Sequence, residues 1–279
     1  MNNEIFNVDL ITSKSNSTIV KIAKLETKKY RYEEQLFVCN GIKLFLEAAK
    51  YGAKIRYIVL KNSADFEEKI IKEIKAEKLK GADIICVSDE VFEKLSEENS
   101  PQGIICICQF MENMHTFSTT VKNVNQDERA IILESIRDPG NLGTIIRNAV
   151  AFGFDKIILS SDCADIYSSK VIRSAMGATF KIKIDIVSNI AMSIIDLRTS
   201  GYNVLGAALI ENSKILGEYQ ISPKDIFVIG NEGHGLSSQV IEACDDTVYI
   251  PMCDNTESLN AGMAAGIIMW EQSKLYNIL

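Results

Sequence analysis

From residue 130 onward, short aliphatic runs alternate with helical patterns, and this alternation constrains the fold more than any other feature of the chain. Ala130–Leu133, Lys156–Leu159, Asn203–Ala207, Ile226–Ile229 and Thr247–Ile250 read as strands. Asn141–Phe152, Ser168–Met176, Ala191–Thr199, Ser237–Ala243 and Ser258–Tyr276 read as helices between or after them. Strands joined through helices need crossover connections, and crossovers give a mainly parallel sheet covered on both faces.

The first part of the chain carries a second, smaller α/β pattern. Ile19, Ile22, Ala23 and Leu25 mark a short helix, and Leu36–Cys39 reads as a strand turned by Asn40-Gly41. Ile42, Phe45, Leu46 and Ala49 share one face of a helix that Gly52 stops. Strands follow at Ile55–Leu60, Asp83–Val87 and Gly103–Cys108, with helices at Asp65–Lys80 and Val91–Leu95. Residues 111–129 are polar and without period, and read as a linker. The expected organisation is a small α/β domain over 1–110, the linker, and a parallel-sheet domain over 130–279.

Composition narrows the classes that this fold could serve. The chain is 47% hydrophobic and 24% charged, ordinary for a globular protein. Its polar, acidic start does not resemble a secretion signal. Its longest apolar run, Ala261–Trp270, is half of the ~20 residues a membrane-spanning helix needs. A cytoplasmic protein with no membrane association is expected. The seven cysteines are scattered and read as free thiols in a reducing compartment. The single-residue gap between Cys106 and Cys108 suits a buried strand better than a zinc knuckle, and no metal is expected. The net charge of −7 excludes a protein coated in basic surface. Residues 1–80 nevertheless hold 16 basic against 11 acidic side chains, and the remainder 14 against 26. A polyanion would therefore meet the N-terminal part first.

Chemistry concentrates in three turns, each following a strand. In Asp138-Pro-Gly-Asn-Leu-Gly-Thr-Ile-Ile-Arg147, Pro139 and Gly140 break the strand and Asn141 can cap the helix. Leu142, Ile145, Ile146, Ala149 and Val150 form the buried stripe of that helix, and Arg147 lies off it above small residues, with room for a ligand. In Gly230-Asn-Glu-Gly-His-Gly-Leu-Ser237, Gly230 permits close backbone approach, Glu232 sits in the bend and Ser237 can cap the next helix. This spacing is not the dinucleotide fingerprint, no phosphate-loop lysine follows, and His234 has no partnered nucleophile motif. In the third, Ile250-Pro-Met252 leads through an acidic loop to Ser258-Leu-Asn260 and a long apolar helix. Leu259, Met263, Ile267 and Trp270 make one face of that helix, expected to be core or a dimer interface, and Gly262 with Gly266 leaves a groove for close helix contact. In an open α/β sheet, ligands bind at strand ends such as these.

In this order, the three segments resemble the three motifs of the SpoU family of RNA 2′-O-ribose methyltransferases, members of the knotted SPOUT class. The resemblance covers residues 130–275, and Asp138-Pro-x-Asn141-x-Gly143-x-x-x-Arg147-x-Ala149-x-Ala151-Phe-Gly153 is its longest stretch. Ser13-Lys14-x-Asn16, Lys24-Leu25, Lys28-Lys29-x-Arg31, Phe37–Leu44 and Ser100-Pro-Gln-Gly103 resemble the family's N-terminal RNA-substrate-binding module. The resemblance implies a deep trefoil knot in the C-terminal domain, and a homodimer whose last helix helps to build the pocket. It implies S-adenosylmethionine, held in a bent form by backbone near Ala208, Gly230, Ile250 and Leu259. It implies methyl transfer to a ribose 2′-hydroxyl, with Arg147 as the essential arginine, either general base or phosphate clamp. Asn141 and Glu232 would hold Arg147 and the turn geometry, and Ser258 and Asn260 would bind the reacting nucleotide or fix the cofactor loop. Lys14, Asn16, Lys28, Lys29, Arg31 and Arg173 would meet RNA.

The chain departs from the family pattern at Asn40, where glutamate is common, and at Ser169 and Ala175, where proline and serine are common. These positions bear on substrate choice. A module that resembles a ribosomal-protein-like RNA binder favours ribosomal RNA. Transfer RNA is the second substrate class, and a non-catalytic RNA-binding or ribosome-assembly factor is the reading from another class.

Overall fold

A computed structural model describes residues 1–276 except 77–78, 99, 112–114, 122–127 and 254–257. The expected acidic loop before Ser258, part of the expected linker and residues 77–78 of the expected Asp65–Lys80 helix lie outside the described residues. The chain forms two compact units, Met1–Met111 with Tyr167–Phe180, and Glu112–Ile166 with Lys181–Leu279.

The first unit comprises α1 (Asn2–Phe6), β1 (Leu10–Ile11), α2 (Ser17–Lys24), α3 (Lys28–Glu34), β2 (Leu36–Asn40), α4 (Ile42–Lys50), β3 (Ile55–Lys61), α5 (Glu68–Ile74), β4 (Asp83–Val87), α6 (Asp89–Leu95) and β5 (Ile104–Gln109). Its sheet order is β1-β4-β3-β5-β2, with β5 antiparallel to both neighbours. One face packs Val59, Ile105 and Ile107 against Ile19 and Ile22 of α2 and Val91 and Phe92 of α6.

Tyr167–Phe180 belongs to this unit, although the sequence pattern assigns it to the 130–279 domain. Aromatic packing is the physical reason. Tyr167 is fully buried, stacks on Phe110 at 3.6 Å between ring centroids, and lies 5.0 Å from the ring of Phe37. Its hydroxyl accepts a hydrogen bond from the Met111 amide. Phe180 lies 6.2 Å from Phe37 at the other end of the segment.

The second unit comprises β6 (His115–Ser118), β7 (Ala130–Leu133), α7 (Pro139–Ala151), β8 (Lys156–Ser160), β9 (Lys183–Val187), α9 (Ile190–Thr199), β10 (Asn203–Ala207), β11 (Lys214–Ile215), β12 (Asp225–Ile229), α10 (Ser238–Ala243), β13 (Asp246–Tyr249) and α11 (Ala261–Ser273). The intervening α8 (Ser169–Ala175) is the helix of the segment that joins the first unit. The eight strands are all parallel, in the order β11-β13-β10-β12-β7-β8-β9-β6. β7 and β12 are buried along their whole length. α9 and α10 pack on each other, as do α7 and α11. Ile132, Ile158, Val204 and Val228 meet α9 and α10 on one face.

Four strands have no counterpart in the sequence expectation: the two-residue β1 and β11, and the longer β6 and β9. Within the expected linker, His115–Ser118 forms the edge strand β6 and pairs with β9. β9 itself is hidden by its polar centre. Asp185 is buried there because it pairs with Lys156 Nζ at 3.3 Å, accepts the Thr116 hydroxyl, and shares Lys156 with Glu128. Buried charges persist when partnered in this way, and the partners come from other strands.

Within its own unit α11 packs through a different face from the Leu259, Met263, Ile267 and Trp270 stripe, which was expected as core or as a dimer interface. Ala261, Gly262, Ala265, Ile268, Met269 and Gln272 point inward, whereas Met263 is 59% and Trp270 43% exposed. The groove at Gly262 and Gly266 receives Thr144 and Asn148 of α7. A Cβ at either glycine would lie 3.4 Å from Thr144 Cγ2 or 3.0 Å from Asn148 Nδ2. Close approach to α7 therefore fixes the inward face, and the larger side chains are left outside.

Candidate active site

Because every strand of the second sheet is parallel, the turns after β7, β10, β12 and β13 leave from the same edge. Chain order runs β7-β8-β9 in one direction and then returns to β10, leaving the position beside β7 for β12. That reversal is the topological switch point where α/β sheets bind ligands.

The three turns meet there through Asn141. Asp138 caps α7, its Oδ1 accepting the Asn141 amide at 2.8 Å. The side chain of Asn141 is thereby aimed away from its own helix end. Its Nδ2 donates to Glu232 Oε1 at 2.6 Å, and its Oδ1 accepts from Asn260 Nδ2 at 2.8 Å. A carboxylate can only accept, so Glu232 sets the orientation of the Asn141 amide, which in turn sets that of Asn260. Asn260 then caps α11, its Oδ1 accepting the Met263 amide at 3.2 Å. One chain of side-chain hydrogen bonds thus ties together residues 91 and 119 positions apart.

The second turn is braced from within. Asn231 Oδ1 accepts the amides of Gly233 and His234, and its Nδ2 donates to the Ser135 carbonyl at 2.8 Å. Sequence reading passed over Asn231. Its legible signal was an asparagine inside a glycine-rich bend, the residue type that hydrogen-bonds its own turn. Ser135 holds a left-handed backbone, φ 56°, and its hydroxyl donates to Asp162. Burial raises the Asp162 carboxyl, but hydrogen bonds from Ser135, Ser160 and Arg137 outweigh it and hold the group below its ordinary value. Glu134 accepts both the amide and the hydroxyl of Ser237, fastening the start of α10 to the end of β7.

Gly230 must be glycine. A Cβ there would lie 2.4 Å from the Gly235 carbonyl carbon and 2.6 Å from the Leu236 nitrogen. Asn231 and Gly235 exchange backbone hydrogen bonds at 2.9 and 3.0 Å, closing the turn over Gly230. Beside it lies a cavity of about 490 Å³, within the range of small-molecule sites. Ala208, Gly230, Ile250 and Leu259 all line it, together with Glu232 and Ser258. His234 lines it as well, and its side chain is exposed.

Arg147 stands apart from this hydrogen-bond chain. It is exposed, and its side chain makes no hydrogen bond or ion pair with another described residue. Glu232 and Asn141 hold each other and join the turns, and among the described residues neither bonds to Arg147, which the sequence reading has them hold as well. Arg147 lies six positions after Asn141, which on a helix is about 9 Å of rise and a different face.

The expected RNA-contacting residues divide into two groups. Lys14, Lys28 and Lys29 are exposed, with Lys28 over the Tyr32 ring and Lys29 3.8 Å from Glu33. Arg173 is half-exposed, 4.0 Å from Glu97. Arg31 does not belong on that surface. It is buried, and its guanidinium donates to the Leu25 and Glu26 carbonyls at 2.8 and 2.7 Å. These are carbonyls left over where α2 ends. Asn16 spends its side chain capping α2, accepting the Thr18 and Ile19 amides.

Comparison with known proteins agrees with this geometry. A model of the SpoU rRNA Methylase family matches residues 128–270, and one of the MRM3-like substrate binding domain matches residues 16–106. The chain belongs to the SpoU rRNA methylase family. It is 30% identical over 260 residues to the 23S rRNA (guanosine(2553)-2′-O)-methyltransferase RlmP of Bacillus subtilis, covering 93% of this chain and 97% of that one. It is 28% identical to the mitochondrial rRNA methyltransferase 3A of Danio rerio, covering 88% of this chain and 65% of the relative. Among solved structures, the AdoMet-bound rRNA methyltransferase from Sinorhizobium meliloti superposes with a TM-score of 0.82 at 28% identity, covering 96% and 98% of the two chains.

Proposed function

We propose that this SpoU-family protein is an S-adenosylmethionine-dependent methyltransferase that modifies a ribose 2′-hydroxyl of ribosomal RNA. The observation that carries the reading is the Asn260–Asn141–Glu232 chain, which joins all three family motifs beside the strand-end cavity. The similarity over nearly the whole chain to RlmP and to the AdoMet-bound enzyme supports cofactor and substrate class.

The cavity fits the cofactor in size and in lining. Ile229, Leu236 and Ile268 offer apolar wall for a flat base, and the backbone near Ala208, Gly230, Ile250 and Leu259 offers hydrogen-bonding groups. S-adenosylmethionine supplies an electrophilic methyl group. Arg147 acts as a phosphate clamp rather than as the base, because a guanidinium stays protonated and its fork of donors matches a phosphate. Its freedom from described protein partners leaves that fork available. Asn141, Glu232 and Asn260 hold the turns in register, and Ser258, exposed beside the cavity, positions the nucleotide or the cofactor loop.

The reading extends to assembly. Membership of the SpoU family supports a chain threaded as a trefoil knot. The exposed Met263 and Trp270 face of α11 supports a homodimer built on that helix. Lys14, Lys28, Lys29 and Arg173 form the basic contribution of the first unit to RNA binding. Seven free cysteines suit the reducing cytoplasm.

Calorimetric titration with S-adenosylmethionine tests the reading. Saturable binding at one site per chain is expected, and absence of binding both with and without RNA would remove the enzyme claim.

A further inference from the structure

The sheet of the first unit brings together a group of side chains that the methyl-transfer chemistry does not use. Cys106 and Cys108 alternate along β5 and so project from the same face. Cys39 lies on the neighbouring strand β2, directly opposite Cys106 in the antiparallel register. All three are completely buried, and their sulfur atoms lie within 4.8 Å of one another. Sequence spacing reveals only the Cys106 and Cys108 pair, because the third thiol arrives through strand pairing across 67 residues.

We propose that Cys39, Cys106 and Cys108 form a three-coordinate binding site for a soft monovalent cation, Cu(I). Three sulfurs around one ion at a metal–sulfur distance of about 2.3 Å lie about 4 Å apart. The observed separations do not exceed 4.8 Å. Thiolate ligands select soft ions. A tetrahedral zinc site needs a fourth ligand, and among the described residues no histidine, carboxylate or further cysteine joins the three. The trigonal donor set therefore favours Cu(I) over Zn²⁺.

The site also has an entry route and a structural effect. β2 is an edge strand, so local opening of β2 admits an ion without unfolding the sheet. Once bound, the ion ties β2 to β5, and thiol protons leave to solvent as sulfur–metal bonds form. Phe37, two residues from Cys39 and on its face, packs on Tyr167 and Phe180. Binding thus rigidifies the part of the sheet on which the Tyr167–Phe180 segment rests.

The test is anaerobic titration of the reduced full-length protein with Cu(I) buffered by a chromophoric chelator. A Cys253→Ser background removes the exposed thiol. One equivalent should bind, with sulfur-to-copper absorption in the near ultraviolet and a rise in Tm. Cys39→Ser and Cys108→Ala should each abolish the absorption and the Tm rise. Cys86→Ser, a buried thiol outside the cluster, should change neither. Circular dichroism of each variant before metal addition verifies that it folds. Absence of stoichiometric binding in a folded parent, or binding that survives loss of Cys39, would overturn the assignment. Neither outcome bears on methyl transfer.

Discussion

At the scale of single residues, Asn141 decides more than its place in the first turn of a helix implies. Its side chain hydrogen-bonds to both other turns. Asn141→Asp keeps the shape but sets a carboxylate against Glu232. The pair then repels instead of bonding, and the donor from Asn260 loses none of its need for an acceptor. The expected cost is about 1–3 kcal/mol, with weakened cofactor binding, read by urea denaturation and calorimetry. An unchanged affinity would show that the three turns hold their register without this chain. Gly230→Ala is more severe, because the added carbon meets backbone rather than a movable side chain. That turn must open, and cofactor affinity should fall at least tenfold while the far-ultraviolet spectrum stays native. Wild-type affinity in this variant would refute the close packing of Gly235 over Gly230. The residue scale is also where reading the sequence fell short. Glycine and asparagine at bends were legible from their turn chemistry. The burial of Arg31 was not, since a basic residue in a lysine-rich stretch looks exposed until its carbonyl partners are located.

At the scale of elements, strands with uniform aliphatic runs were legible and strands with internal charge were not. Ala130–Leu133 needed no partner to be recognised, whereas Lys183–Val187 needed Lys156 to explain Asp185. The same division holds for helices. The inward face of α11 is set by where Thr144 and Asn148 of α7 fit, so amphipathic counting alone does not tell which face packs within the unit. The exposed side makes a prediction of its own. Met263→Glu with Trp270→Glu should convert a dimer to a monomer in sedimentation, and a wild-type protein that sediments as a monomer would contradict the proposed assembly. α8 carries a second prediction. Tyr167 anchors its segment by stacking on Phe110, so Tyr167→Ala should destabilise the first unit by about 3 kcal/mol. Differential scanning calorimetry of the full chain checks this, and a loss confined to the second unit would contradict the packing.

At the scale of the whole molecule, alternation of strand and helix was sufficient to place a parallel sheet after residue 130. The segment that returns to the first unit was not foreseeable from such local pattern. Its membership depends on rings at 32, 37, 110, 167 and 180 meeting in space. The site stands between these extremes. Its residue types and their order were visible, and their convergence required the strand order that sets β12 beside β7. A sheet edge, a cavity and an unengaged arginine then describe an enzyme acting on a large anionic substrate. Mapping 2′-O-methylation across ribosomal RNA, with the gene deleted and then restored as wild type or Arg147→Ala, tests this most directly. The account predicts one ribose site that loses its methyl group on deletion, regains it with the wild-type gene and stays unmodified with a folded Arg147→Ala protein. A methylation map unchanged by deletion, or full restoration by Arg147→Ala, would contradict it.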